Sequence, residues 1–279
     1  MSLDHKDLLY GRLRAIDIPI SEYSFANLYL FRDIHRYQVL SHTEIFIQGV
    51  SYDKRTFAMP TVDVRKTDPK LLNRLLSSVD YLFPVPEQWL PAFDDKIYLA
   101  EVLDGDSDYI YSVEKIATYA GKKLHKKKNL LNFFIKHYEH VAAPLTEDRI
   151  PDAVRILDRW QEESGQDIKD TDYSACREAI EKMDELILCG GIYYVEGEPA
   201  GFIHGEELND ETYALHFAKG LTKFKGIYQY MFSNFAGILP KKYHYLNFEQ
   251  DLGMETLRHS KESYFPEFKL KKYRVFLKG

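Results

Sequence analysis

The residues best placed to do chemistry are Asn247-Phe248-Glu249-Gln250-Asp251, which follow the aromatic and apolar run Tyr243-His244-Tyr245-Leu246. They fall at the C-terminal end of an expected strand, the end that lines the cleft in open α/β sheets. In a continued strand Asn247, Glu249 and Asp251 would share one face. An amide and two carboxylates there suit binding of a substrate amine and removal of its proton, with Glu249 or Asp251 as general base if burial raises its pKa. Asp251 has a second reading, as N-cap of a helix expected over 253–263. On that helix Arg258 and Lys261 are three apart and share a face; with Tyr264 they could hold a carboxylate or phosphate. His216, in another expected strand, reads as a satisfied core histidine.

A basic island supplies the second candidate. From Lys115 to His137 there are seven lysines and no acidic residue, in a chain of net charge −6. This local reversal of sign points to an anionic partner at one place, not to general polyanion binding. Lys123, His125, Lys126, Lys127, Lys128 and Asn129 are its candidate substrate contacts. The interleaved Leu124, Leu130, Leu131, Phe133 and Phe134 anchor the segment in a core and exclude a disordered tail. The plain alternative is a solvated helix face.

These groups need a folded scaffold, and the composition provides one. The chain has 279 residues, 45% of them hydrophobic, with 21 tyrosines and 17 phenylalanines, which is enough for one large or two ordinary domains. No apolar run approaches the ~20 residues of a membrane span. The N-terminus lacks the pattern of a secretory signal. Cys176 and Cys189 lie outside any CxxC, and no histidines cluster at ligand spacing. Two reduced thiols, no metal site and a cytoplasmic location are therefore expected.

The elements alternate along the chain. Strands are expected in 37–49 (two), 52–60, 81–83, 138–143, 192–195, 200–205, 212–218, 243–248 and 268–276. Helices are expected from Asp68-Pro69, where Asp68 caps and Pro69 suits the first turn, and from the cap Ser112. Further helices are expected over 148–163, 173–188, 226–239 and 253–263. The turn Glu196-Gly197-Glu198-Pro199 marks a hairpin.

In the second half the order is helix, helix, three-strand meander, glycine-bearing loop, helix, strand, helix, strand. It resembles the GNAT (acyl-CoA N-acyltransferase) fold, and the first half can be read in the same order in degraded form. Two stretches bring the resemblance closer: Gly121-Lys122-Lys123-Leu124-His125-Lys126-Lys127-Lys128-Asn129-Leu130-Leu131-Asn132-Phe133-Phe134, and Leu246 to Pro266. They are similar to signatures of a soluble bacterial family related to the C-terminal domain of phosphatidylglycerol lysyltransferase, whose soluble members lack the membrane-spanning flippase half. The resemblance implies an α+β chain of tandem acyltransferase-like modules with mixed, mostly antiparallel sheets flanked by helices, expected over 1–137 and 138–279.

It also implies a transferase that moves an acyl or aminoacyl group to an amine or hydroxyl. The donor would be acyl-CoA or aminoacyl-tRNA, and the acceptor a small molecule, peptide or lipid headgroup. In that fold the loop after the third meander strand offers N–H groups to a pyrophosphate. Here the place falls on Lys219-Gly220-Leu221-Thr222-Lys223-Phe224-Lys225-Gly226, with Lys219, Gly220, Lys223 and Gly226 as the implied cofactor contacts. Ile227 and Tyr228 are bulky where the fold favours small residues. The competing class is a non-catalytic tRNA- or other nucleic-acid-binding module of the same fold.

Overall fold

The computed structural model describes residues 1–278. The chain divides into two compact units. The first comprises 1–108, 249–258 and the stretch from Lys269; the second comprises 109–248 and 259–268.

In the first unit α1 (Lys6–Arg14), α2 (Phe25–Leu30) and α3 (Arg32–His35) precede an antiparallel meander of β1 (Gln38–Ser41), β2 (Ile45–Val50) and β3 (Thr56–Pro60). Helix α4 (Pro69–Leu76) crosses over to β4 (Tyr81–Pro86), which runs parallel to β3. The start of α4 is written in its sequence: the Asp68 carboxylate accepts from the Lys70 N–H at 2.9 Å, and Pro69 takes the first turn. Its Leu71, Leu72, Leu75 and Leu76 form the buried face. The sheet order is β1-β2-β3-β4-β13-β5, where β13 (Lys272–Leu277) lies antiparallel between β4 and β5 (Tyr98–Val102).

The second unit repeats this plan. Strands β7 (His140–Pro144), β8 (Cys189–Val195), β9 (Glu198–Glu207) and β10 (Thr212–Gly220) are antiparallel in turn. Helix α9 (Ile227–Ile238) then crosses to β11 (Tyr245–Asn247), parallel to β10. Beyond β11 lie β6 (Asp108–Ser112) and β12 (Phe268–Leu270). Helices α5 (Val113–Thr118) and α6 (His125–His137) pack on α9, and α7 (Ile150–Ser164) packs on β9, β10 and α8 (Tyr173–Glu181). The core beside α9 is aromatic: Phe134 of α6 stacks on Tyr230 at 4.7 Å. The last helix is α10 (Glu255–Glu262).

Two mixed sheets flanked by helices, each built as meander, crossover helix and parallel strand, make this the acyltransferase-type α+β fold. The place beside each parallel strand is filled from elsewhere in the chain, by β13 in the first sheet and β6 in the second. The expected boundary after residue 137 therefore does not coincide with the observed division. Residues 109–137 pack with the second unit, and 249–258 and the C-terminal strand with the first. Element limits differ too: the strand expected over 52–60 begins at Thr56, and that expected over 81–83 runs on to Pro86. The helix expected over 173–188 stops at Glu181, because the chain must turn before β8 begins at Cys189, and Ile187 takes a left-handed backbone (φ +57°). The strand expected over 268–276 is broken at Lys271 into β12 and β13, which serve different sheets. The strand expected over 243–248 covers only Tyr245–Asn247.

Candidate functional site

The strand end behaves differently from its reading. Extended backbone stops at Asn247, and Glu249 (φ +59°), Leu252 (+55°) and Gly253 (+75°) are left-handed. The alternation that would have put Asn247, Glu249 and Asp251 on one face is lost, because left-handed residues coil the chain. Asn247 is buried within the second unit. Glu249 is half-buried in the first, where its Oε1 accepts from Nδ2 of Asn27 at 3.1 Å. Asn27 is held in turn by the cap of α2, its N–H donating to Ser24 Oγ at 3.0 Å. Asp251 is fully buried; it accepts from Arg258 Nε at 2.9 Å, Arg258 Nη2 at 3.3 Å and the Gly253 N–H at 2.8 Å. A carboxylate held by a guanidinium and a backbone N–H is a poor base. Nor is Asp251 at the N-cap of α10, which begins at Glu255; its carboxylate closes a local turn with the Gly253 N–H. Gly105 is required beside this loop, since a Cβ there would lie 2.5 Å from the Gly253 nitrogen.

Beneath the loop is a charge cluster that the sequence did not disclose. Lys272 is fully buried, with Nζ 2.8 and 2.6 Å from the two Glu22 carboxylate oxygens and 2.7 Å from Asp108 Oδ1. Asp108 also accepts from the Ser21 N–H at 2.8 Å and from Ser21 Oγ at 3.0 Å. Gln250 Oε1 accepts from Ser21 Oγ and Lys272 Nζ, each at 3.2 Å. Two carboxylates thus share one ammonium. Burial raises the Glu22 carboxyl to about 7 against the pull of Lys272, and Asp108 adds to the rise. Burial alone would lower the Lys272 amine; Asp108 and Glu22 outweigh it and hold the amine above its ordinary range. The only sequence signals were a polar pair, Ser21-Glu22, between apolar residues, and a lysine inside a strand.

In the second unit the loop 219–226 is occupied by the protein's own groups. Lys219 is a buried residue of β10, bonded to Asp172 at 2.6 and 2.9 Å, with Nζ 3.5 Å above the Trp160 ring. The Gly220 N–H donates to Tyr228 Oη at 3.2 Å. The Thr222 N–H and Oγ both donate to Glu163 Oε2, at 3.3 and 3.0 Å. Lys223 pairs with Glu198 at 2.9 Å, and the Lys225 N–H donates to Tyr138 Oη at 3.3 Å. Gly226 (φ +93°) is glycine for packing, because a Cβ would lie 2.4 Å from the Leu130 carbonyl oxygen of α6. The open N–H cradle implied for a pyrophosphate is replaced by a carboxylate already in place. The bulky Tyr228 that departs from the fold's pattern is the group that takes the Gly220 N–H.

Helix α6 carries the basic island. Lys127 lies four and seven residues before Leu131 and Phe134, hence on the buried stripe. Its Nζ sits 3.7 Å over the Tyr264 ring, and burial lowers the amine to about 8. Lys123, Lys126, Lys128, His125 and Asn129 are exposed, and the His125 and Asn129 side chains approach to 3.4 Å. Lys123 Nζ is 5.6 Å from the Phe265 ring. Arg258, Lys261 and Tyr264 do not form one anion site: Arg258 is committed to Asp251, Lys261 Nζ donates to the Phe248 carbonyl at 2.6 Å, and Tyr264 Oη accepts from Gln229 at 2.7 Å. His216 stands at a bulge in β10, its Nε2 2.9 Å from Glu206 Oε1. His204 beside it is fully buried with neither ring nitrogen hydrogen-bonded among the described residues, and burial lowers it to about 3. Among the described residues no His, Cys, Asp and Glu side chains group to hold a metal, and no helix is long and apolar enough to cross a membrane.

Known proteins match this architecture. The family model described as "Phosphatidylglycerol lysyltransferase, C-terminal" matches residues 14–276. A conserved protein of unknown function from Bacteroides thetaiotaomicron superposes with TM-score 0.87 at 27% identity, over 100% of this chain and 98% of the other. The C-terminal domain of a putative lysylphosphatidylglycerol synthetase from Agrobacterium fabrum gives 0.66 at 11% identity, over 98% and 92%. L-PGS from Bacillus licheniformis gives 0.64 at 13%, over 97% and 91%. At these identities the last two show the fold alone. An uncharacterised protein of Mycoplasmoides gallisepticum is 29% identical over 206 residues, 71% of this chain but 64% of its own length.

Proposed function

Because this chain belongs to the phosphatidylglycerol lysyltransferase C-terminal family, we propose that it transfers an aminoacyl group from an aminoacyl-tRNA to an amine or hydroxyl acceptor. One observation carries the choice of donor. Glu163 takes the Thr222 N–H and hydroxyl in the loop that a coenzyme A pyrophosphate would need, while Lys123, Lys126 and Lys128 stand exposed on the second unit's basic segment. A pyrophosphate meeting that carboxylate would be repelled; a polynucleotide backbone can engage several ammoniums at once. The description of the matching family, phosphatidylglycerol lysyltransferase, supports an aminoacyl donor.

In this reading the acceptor nitrogen or oxygen attacks the ester carbonyl carbon of the donor. The new C–N or C–O bond forms, the ester bond to the tRNA ribose breaks, and the acceptor's proton ends on the ribose oxygen. Glu249 is assigned the proton in transit, and the buried Glu22–Lys272–Gln250 cluster positions its loop. The acceptor is a small molecule, peptide or lipid headgroup.

The test is to incubate the protein with labelled aminoacyl-tRNAs and candidate acceptors, beside acetyl-coenzyme A. Protein-dependent passage of label from tRNA to acceptor is expected, with no acetyl transfer. Acetyl transfer in its place would overturn the reading. Tight tRNA binding with the ester left intact would mean a binding module of the same fold.

A further inference from the structure

Phe265, in the turn that follows α10, has a left-handed backbone (φ +54°), its N–H donating to the Glu262 carbonyl at 2.9 Å. Glycine adopts this conformation freely at a helix C-terminus, and any other side chain does so with strain. Burial of the ring does not offset that strain, for Phe265 is 42% exposed. Its placement is nonetheless fixed. The preceding Tyr264 is buried, bonded by Gln229 and covered by Lys127. Lys123 Nζ stands 5.6 Å from the Phe265 ring, and Lys122 and Lys126 are exposed on the same basic segment. None of these three lysines has a carboxylate partner among the described residues.

We propose that Phe265 is a stacking platform for an unpaired nucleobase of the RNA donor, with Lys122, Lys123 and Lys126 as the phosphate contacts beside it. The inference rests on the aminoacyl-tRNA reading and deepens it by placing a single-stranded segment of the donor on this chain. The chemistry matches: a base offers a flat π-face joined to an anion, and the site offers a flat ring with the Lys123 ammonium near it and two more exposed lysines on the same segment. Stacking of this kind tolerates any base.

The probe is a short single-stranded RNA carrying 2-aminopurine at its 3′ terminus. Wild-type protein should quench its fluorescence. The variant Phe265→Gly removes the ring and suits the backbone, so it should melt no lower than wild type while binding the RNA roughly 5- to 150-fold more weakly and without quenching. Phe265→Trp should restore both signals. Quenching and affinity unchanged in Phe265→Gly would overturn the platform, as would a fall in melting temperature with no rescue by Trp. Filter binding of whole tRNA separates the two ideas. If Phe265→Gly is silent while Lys126→Glu with Lys128→Glu abolishes tRNA binding, the platform fails and the donor reading stands. If wild type binds neither RNA at low salt, both fail.

Discussion

At Glu22 two effects oppose each other. Burial and Asp108 favour the protonated carboxyl, Lys272 favours the carboxylate, and the balance lies at about 7. A folded-state value above the ordinary 4.5 means that the native protein binds the proton more tightly than the unfolded chain. The stabilisation from Glu22 is therefore fully present below about pH 4.5 and is lost as pH rises through about 7. Glu22→Gln leaves one carboxylate for one ammonium, so it should raise stability at pH 8 by roughly 1–3 kcal/mol and remove that part of the pH dependence. Urea unfolding at pH 5 and pH 8 checks this; a variant less stable than wild type at both would contradict it. At the same scale, Glu249→Gln should lower transfer by roughly 10²–10⁴ with an unchanged melting temperature. A normal rate would place the base elsewhere. The stretch Glu249 to Asp251 was legible as polar chemistry at a strand end, but its geometry was not, because left-handed residues after Asn247 cancel the alternation. The cluster of Ser21, Glu22, Asp108 and Lys272 was illegible because its members lie up to 251 positions apart in sequence.

Among the elements, starts were readable where a side chain caps its own turn. Asp68 and Ser112 cap α4 and α5 as their sequences imply. Ends were less readable, since the stop of α8 is set by where β8 must begin. For α6 the charge and the interleaved apolar residues were readable, but not which lysine turns inward; that follows from packing on α9, which puts Lys127 with Leu131 and Phe134. The same packing fixes Gly226. Gly226→Ala would force a Cβ to 2.4 Å from the Leu130 carbonyl at φ +93°. A loss of roughly 2–4 kcal/mol is expected. Unfolding in urea measures it, and an unchanged midpoint would mean that α6 can move aside at little cost.

For the whole molecule, the two-module plan was readable from element order, whereas the division was not. The strand expected over 268–276 carried no sign of which sheet it joins, and β6 was not expected as a strand at all. Their exchange has a consequence for fragments. Residues 1–137 lack β13, hence the strand between β4 and β5 and the Lys272 partner of Glu22 and Asp108. That fragment should be unfolded by circular dichroism and proteolysed at once, although it spans a full module by length. A cooperative melt would contradict the observed division.

A tRNA donor would show itself in the salt dependence of tRNA binding. Lys122, Lys123, Lys126 and Lys128 are exposed ammoniums at and just before the start of α6, Lys127 being turned inward. Four phosphate contacts predict that the logarithm of the affinity falls against the logarithm of salt with a slope of about −3. Filter binding of tRNA across a salt series should give that slope in wild type and no retained tRNA in the Lys126→Glu, Lys128→Glu variant, while calorimetry with acetyl-coenzyme A gives no heat. Stoichiometric binding of acetyl-coenzyme A, with tRNA unretained even at low salt, would contradict the account.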